Sequence, residues 1–241
     1  MSLFGDLKDD GLEESGDVLG GGGTLESGAH EAIIKLAFAG KSQSSNARSL
    51  VVHFDINGFE YRETYWITNK NGENFYTDKK DNTKRHQLPG YSIVNSLCLL
   101  STGFPLSEQE GEEKTVNLYD FDAKKELPKS VPVLTDLIGK PITIGLLKQI
   151  VDKTAKDDSG KYNPTGETRE ENVADKFFHA ESHRTVTEVK GGLEEAVFYE
   201  KWVEKNTGKT RNRAKGVEGK SGAPSKGGKA STEPKKSLFG G

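Results

Sequence analysis

Between Phe59 and Tyr91 the chain gathers Phe59, Tyr61, Tyr65, Trp66, Phe75, Tyr76 and Tyr91 among Arg62, Lys70, Lys79, Lys80, Lys84 and Arg85. Rings at strand spacing beside a run of cations suit an unpaired nucleic-acid strand, because flat side chains stack on bases and cations follow phosphates. The formal net charge is −3, so this basic concentration is local and points to a groove rather than a generally adhesive surface. On a strand starting at Phe59, the side chains of Phe59, Tyr61, Tyr65 and Ile67 share one face, with Glu63 interrupting. Arg62 and Trp66 share the other. One face must be core, the usual place for strand aromatics, which leaves Trp66 beside Arg62 as the better stacking candidate. Phe75 and Tyr76 are adjacent, so one of them points outward. The candidate nucleic-acid-binding set is therefore Arg62, Tyr65, Trp66, Lys70, Phe75, Tyr76, Lys79, Lys80, Lys84 and Arg85. The plain alternative for the lysines is a solvated hairpin, and Asp78 and Asp81 dilute their charge.

Other chemistries find less support. His179 and His183 are four apart around Glu181 and would share a face on a helix, but a third zinc ligand is missing and there is no HExxH pattern; a surface or structural role is favoured. GKS at 40–42 lacks the glycine five residues before Gly40 that a phosphate loop needs, since Lys35 stands there. No glycine-flanked serine or catalytic cysteine with a partner stands out. Asp55, Glu60 and Glu63 are close in sequence, but isolated carboxylates on strands are normally solvated. The expectation is a non-enzyme with no metal and no cofactor.

The elements that must position these residues begin with a half-buried alternation of Ile34, Leu36 and Phe38 around Lys35 and Ala37. A second strand alternates Leu50, Val52, Phe54 and Ile56 with His53 and Asp55. Asn57-Gly58 is a two-residue hairpin signal, since both positions tolerate positive φ. Phe59 to Ile67 forms the third strand, and Asn74 to Asp78 a short fourth. Ile93, Leu97 and Leu100, with Gly103 as a stop, predict a short helix at about 91–102. Residues 108–114 read as an acidic loop, 116–122 as a strand, 133–139 as a turn-like piece, and 142–154 as a long apolar strand. Residues 156–172 form an excursion too polar for core, 173–189 return to apolar content, and 193–205 have helix-forming composition.

The hydrophobic fraction is 32% of 241 residues, with 28 glycines, which bounds the chain to one compact domain with disordered ends. Residues 1–28 read as a flexible acidic, glycine-rich arm, 29–205 as the folded domain, and 206–241 as a flexible Lys/Gly/Ser-rich basic tail. Cys98, the single cysteine, lies in the apolar run SLCLL and reads as a buried thiol in a reducing cytoplasm. No apolar stretch approaches the ~20 residues that span a membrane. Strands joined by hairpins, one helix, then further strands give a mainly β fold, consistent with a partly open Greek-key barrel of the oligonucleotide-binding type with an inserted short helix.

Three runs, YWITNKNGENFYTDKKDNTKRHQLPGYSIVNSLCLL, VPVLTDLIGKPITIGLLKQIVDK and FFHAESHRTVTEV, resemble the single-stranded-DNA-binding proteins of tailed bacteriophages. The similarity spans roughly Ala29 to Asn206. It implies an oligonucleotide-binding barrel that coats single-stranded DNA during phage replication, recombination and repair. It further implies contacts with phage or host replication, recombination or transcription proteins in the cytoplasm of the infected bacterium. One departure matters: many such proteins end in an acidic tail with a terminal aromatic, whereas here the end is basic and the acidity lies at the start. Ser2-Leu3-Phe4-Gly5 recurs as Ser237-Leu238-Phe239-Gly240, so Leu238 and Phe239 are candidate partner-docking anchors. The competing function class is an interaction adaptor whose barrel or SLFG ends bind a protein instead of DNA. A metal-dependent nuclease is a distant third.

Overall fold

A computed structural model of the chain describes residues 23–42, 44–120 and 123–216. In chain order the strands are β1 (Gly28–Lys41), β2 (Arg48–Ile56), β3 (Phe59–Trp66), β4 (Phe75–Thr77), β5 (Arg85–Gln87), β6 (Glu112–Asp120), β7 (Lys125–Val133), β8 (Pro141–Lys156), β9 (Tyr162–Phe178) and β10 (Thr210–Asn212). Helix α1 (Pro89–Thr102) follows β5, and α2 (Val186–Lys190) and α3 (Val197–Asn206) lie between β9 and β10. The expected mainly β class holds.

The opening meander forms as its side chains dictate. Leu50, Val52, Phe54 and Ile56 are all buried on one face of β2. Asn57 (φ 51°) and Gly58 (φ 85°) make the turn into β3 with both residues left-handed, the geometry that matches the strand twist of a tight hairpin. In β1 the alternation is broken: pairing with β2 shifts register between Ile34 and Leu36, so Ala37, not Leu36, is the fully buried residue. Such a bulge bends a strand. The bent β1 pairs through its first half with β8, from Gly28 opposite Leu146 to Ile33 opposite Pro141, and reaches the end of β7 through Phe38 and Val133.

The resulting sheet runs β10–β8–β1–β2–β3, with β9 on β8 and β6 on β7. All ladders are antiparallel except β10 on β8. No ladder joins β3 to β9 among the described residues, yet the two edges approach closely, because the backbone N–H of Ala174 on β9 donates to Glu63 Oε2 on β3 at 3.0 Å. The sheet therefore curls back on itself around one core. Phe54 sits 5.9 Å from Tyr61 and 5.8 Å from Phe177 between ring centroids, and Tyr65 packs edge-on to Phe177. Helix α1 contributes Val94, Leu97 and Cys98, all fully buried; burial pushes the Cys98 thiol up to about 12. Each such side chain contributes roughly 1.5–3 kcal/mol when fully withdrawn from water. A second, smaller cluster of Leu147, Phe178 and Trp202 holds α3 to the sheet.

Helix α1 starts with Pro89 in its first turn, where the missing N–H costs nothing, and stops at Gly103, whose φ of 84° gives the left-handed cap. Residues 125–133 form a strand that the sequence reading did not assign, and the acidic 112–114 segment starts β6 instead of remaining loop. The polar excursion at 156–172 is largely strand: β8 and β9 stay paired out to Lys156 opposite Tyr162, as a ribbon projecting past the core. Order also extends past the expected domain edges. Ser27 is buried, its hydroxyl donating to Lys209 O at 2.6 Å and accepting from Lys148 N at 2.7 Å. Leu25 and Ser27 thus bond to β9 and β8, and residues 210–212 pair with β8. Most of the acidic arm, the rest of the basic tail and the SLFG ends with Leu238 and Phe239 lie outside the described residues. No helix among the described residues is long and apolar enough to cross a membrane.

Candidate nucleic-acid interface

Trp66 ends β3 with its ring 50% exposed. It stands on the outer face with Arg62, as the alternation required. Directly across the ladders from it are Ser49 and, one residue before, Arg48, which in turn pairs with Lys41 at the end of β1. The chain then turns along the same end: Ile67 N and Thr68 N both donate to Arg48 O, and Asn46 N donates to Lys70 O. Lys70 consequently lines a polar groove with Lys41, Ser42 and Asn46. This sheet end carries the exposed Trp66 indole on the outer face of β3, opposite Ser49, while Lys41 and Arg48 pair with each other one register position on and Lys70 joins Lys41 in the polar groove.

From this end the chain makes the β4–β5 hairpin and returns at α1. The return is tight: a Cβ on Gly90 would lie 2.1 Å from the carbonyl oxygen of Trp66, so only glycine lets the helix start against the last residue of β3. In the hairpin, Arg85 places its guanidinium 4.5 Å from the centroid of Phe75, and Tyr76 lies 5.3 Å from His86 across the strands. Tyr76 is 50% exposed and Phe75 half-buried, so Tyr76 is the outward member of the pair. Lys79, Lys80 and Lys84 are exposed in the connecting turn. Asp78 organises that turn: its carboxylate accepts from Lys80 N at 2.7 Å and Asp81 N at 3.2 Å and lies 3.1 Å from His86 Nε2. Those contacts, led by the Lys80 amide, hold the Asp78 carboxyl below its usual range. Asp81 pairs with Lys84 at 3.2 Å. The hairpin therefore keeps Lys79, Lys80 and Arg85 without carboxylate partners among the described residues.

Tyr65 is not a stacking residue. It is 4% exposed, its ring faces Phe177 inside the core, and its hydroxyl donates to Glu63 Oε2 at 2.9 Å. Burial, with the Glu63 charge beside it, pushes its phenol well above the ordinary value. Glu63 itself was expected to be solvated and is instead enclosed: Tyr61 and Tyr65 hydroxyls and the Ala174 amide all donate to one of its oxygens. Desolvation outweighs those three hydrogen bonds and raises its carboxyl above the usual range. Asp55 caps the Gly58 amide at 2.7 Å and Glu60 pairs with His53 at 3.3 Å, so the three carboxylates do not converge. His179 and His183 lie on a turn, not a helix; His179 Nδ1 faces the Ser182 hydroxyl, and His183 stacks on Tyr199 at 4.4 Å.

Beside Trp66 a cleft of about 870 Å³ opens where β3 and β9 face each other, between the start of α1 and the α2–α3 segment. Phe198, Lys176, Ile93 and Pro89 line it with Trp66. Phe198 is 41% exposed, and the Lys176 ammonium lies 5.7 Å from its ring centroid. Sequence reasoning missed Lys176 and Phe198, which stand more than a hundred residues from Trp66 and belong to no aromatic–basic run. No protein-family model and no curated protein matches this chain.

Proposed function

We propose that this protein is a non-catalytic single-stranded-DNA-binding protein. The observation that carries the reading is the exposed Trp66 indole on the outer face of β3 with Arg62, followed along the chain by a hairpin that bears the exposed Tyr76 and Lys79 and Lys80, both unpaired among the described residues. A single strand can use such a surface, stacking a base on the ring and neutralising phosphates with the cations. Binding is reversible and tolerant of sequence, because every base has a face to stack.

The strand order supports an oligonucleotide-binding barrel. The β1–β2–β3 meander leads through α1 to the β8–β9 pair. There β8 returns to β1, and β9 faces β3 across the gap bridged by Glu63. Barrels of this type take oligonucleotides on the face of their second and third strands and on the adjoining loops, where Arg62, Trp66 and the Lys41–Asn46 turn lie. With the resemblance in sequence, the reading extends to coating unwound DNA during phage replication, recombination and repair in the infected cell.

The test is fluorescence anisotropy of a labelled oligothymidine titrated with the full chain at two salt concentrations, beside duplex of equal length and the Trp66→Ala variant. Single-strand binding that weakens with salt, exceeds duplex binding and falls in the variant is expected. Absence of binding at low salt overturns the proposal and favours the adaptor reading.

A further inference from the structure

The cleft between β3 and β9 has the walls of a ligand site. Its volume, about 870 Å³, falls within the roughly 300–1,000 Å³ of small-molecule pockets. Exposed aromatic rings line it at Trp66 and Phe198. Its carboxylates are already engaged. Glu63 is held by two tyrosine hydroxyls and the Ala174 amide. Asp175 accepts from the Trp202 indole at 2.7 Å and lies 3.7 Å from Arg211. Glu188 accepts from the Thr185 amide and hydroxyl and from the Phe198 amide. Lys176 is the opposite case: it is exposed, lines the cleft, and among the described residues has no carboxylate partner. What remains for a guest is therefore two rings and one ammonium that lies beside Phe198 with no carboxylate partner among the described residues.

We propose that this cleft holds one nucleotide unit of the bound strand, its base against Trp66 and Phe198 and its phosphate at Lys176. The inference rests on the single-strand-binding reading and extends it. The strand then does not stop at the outer face of β3 but crosses the edge of the sheet and passes over β9 toward α3. The shared chemistry, an aromatic base bearing a phosphate, also belongs to a free mononucleotide, so both forms must be tried.

The experiment compares wild type, Lys176→Gln and Phe198→Leu as full chains, with thermal melts alongside, in anisotropy titrations of labelled oligothymidine across a salt series and in competition with thymidine monophosphate. Lys176→Gln is expected to lessen the slope of log affinity against log salt by about 0.7, one phosphate contact on a single strand. Phe198→Leu is expected to weaken binding roughly fivefold or more at an unchanged slope, the loss of one stacked base. Lys176 is exposed, so its variant reads binding even if Phe198→Leu melts early. Wild-type slope and affinity in the folded Lys176→Gln variant overturn the proposal while leaving the Trp66 surface intact. Loss of all salt-dependent binding in wild type instead removes the parent reading. Monophosphate that saturates the site without displacing the oligonucleotide also overturns it, since the guest is then a free nucleotide.

Discussion

Glu63 on β3 and Ala174 on β9 are joined by a hydrogen bond of 3.0 Å from the Ala174 amide to the Glu63 carboxylate, across a seam that no backbone ladder closes. Tyr61 adds to the tie, since its hydroxyl meets both Glu63 and the Ala174 amide. Removing the carboxylate leaves the buried Tyr61 and Tyr65 phenols without their acceptor and the Ala174 amide with the Tyr61 oxygen alone, and an unsatisfied buried group costs about 1–3 kcal/mol. Glu63→Ala is expected to lower unfolding free energy by that amount in chemical denaturation, and Glu63→Gln, which keeps an acceptor oxygen, by less.

The same carboxyl predicts a pH dependence. Burial raises its folded pKa above the model-compound value of 4.5. An acid that binds its proton more tightly when folded stabilises the fold fully below the unfolded pKa, and that contribution is lost as pH rises through the folded one. The difference in unfolding free energy between wild type and Glu63→Gln should therefore shift against wild type as pH is raised from about 4.5. A difference that stays flat, or that moves toward wild type, contradicts the raised pKa.

Tyr65 and Trp66, neighbours on one strand, are expected to separate stability from binding. Tyr65→Ala empties a core position against Phe177 and should cost about 3–5 kcal/mol, as large aromatic truncations do. Trp66→Ala removes a half-exposed ring and should leave the melting temperature nearly unchanged. Its effect falls on single-strand affinity, roughly 5- to 150-fold, the equivalent of ~1–3 kcal/mol per stacked base. Equal binding by the folded Trp66→Ala variant removes the indole from the interface.

Gly90 is the hinge on which that indole is set. An added Cβ meets the Trp66 carbonyl oxygen at 2.1 Å, with Trp66 C at 2.9 Å and N at 3.2 Å, all backbone atoms that cannot swing aside. Gly90→Ala is expected to cost about 1–3 kcal/mol, the range for overpacked sites, and also to weaken single-strand binding, because the end of β3 must move. A variant that melts and binds like wild type means the helix start yields without strain.

Local signals carried the parts of the fold that bury side chains with a regular period. Leu50, Val52, Phe54 and Ile56 announced β2, Asn57-Gly58 the hairpin, and Ile93, Leu97 and Gly103 the helix. The bulge at Lys35 was hidden because Leu36 and Ala37 are both apolar, so either phase looked sound. Strand β7 was invisible because Pro128 and Pro132 argue against a strand and its outward residues leave no alternation; it exists by pairing with β6. The outer half of β9 had no core to record, and its Thr, Glu and Arg residues read as loop. Trp66 was legible as an exposed ring from strand geometry, which also required one of Phe75 and Tyr76 to face outward without saying which. The cleft was not, because it is made by curling β9 onto β3, and nothing in the local sequence of Lys176 or Phe198 states which distant strand they will face. Glu63 was misjudged for the same reason, its solvent being displaced by Ala174 from the far edge.

The hairpin cations make a last, graded prediction. Lys79 and Lys80 are exposed and unpaired among the described residues, whereas Lys84 is drawn to Asp81 at 3.2 Å and Arg85 is held over Phe75. A phosphate contact made by an unpaired lysine releases counterions without first breaking an ion pair. Lys79→Gln and Lys80→Gln are therefore expected each to lessen the salt slope of oligothymidine binding by about 0.7, and Lys84→Gln by less, because Asp81 already neutralises part of its charge. Arg85→Ala is expected to act differently, weakening binding through a Phe75 ring no longer held in place, with a loss that persists at high salt. Equal slopes and equal affinities in all four variants and wild type mean that the strand does not touch the hairpin, and that binding is confined to the Trp66 end of the sheet.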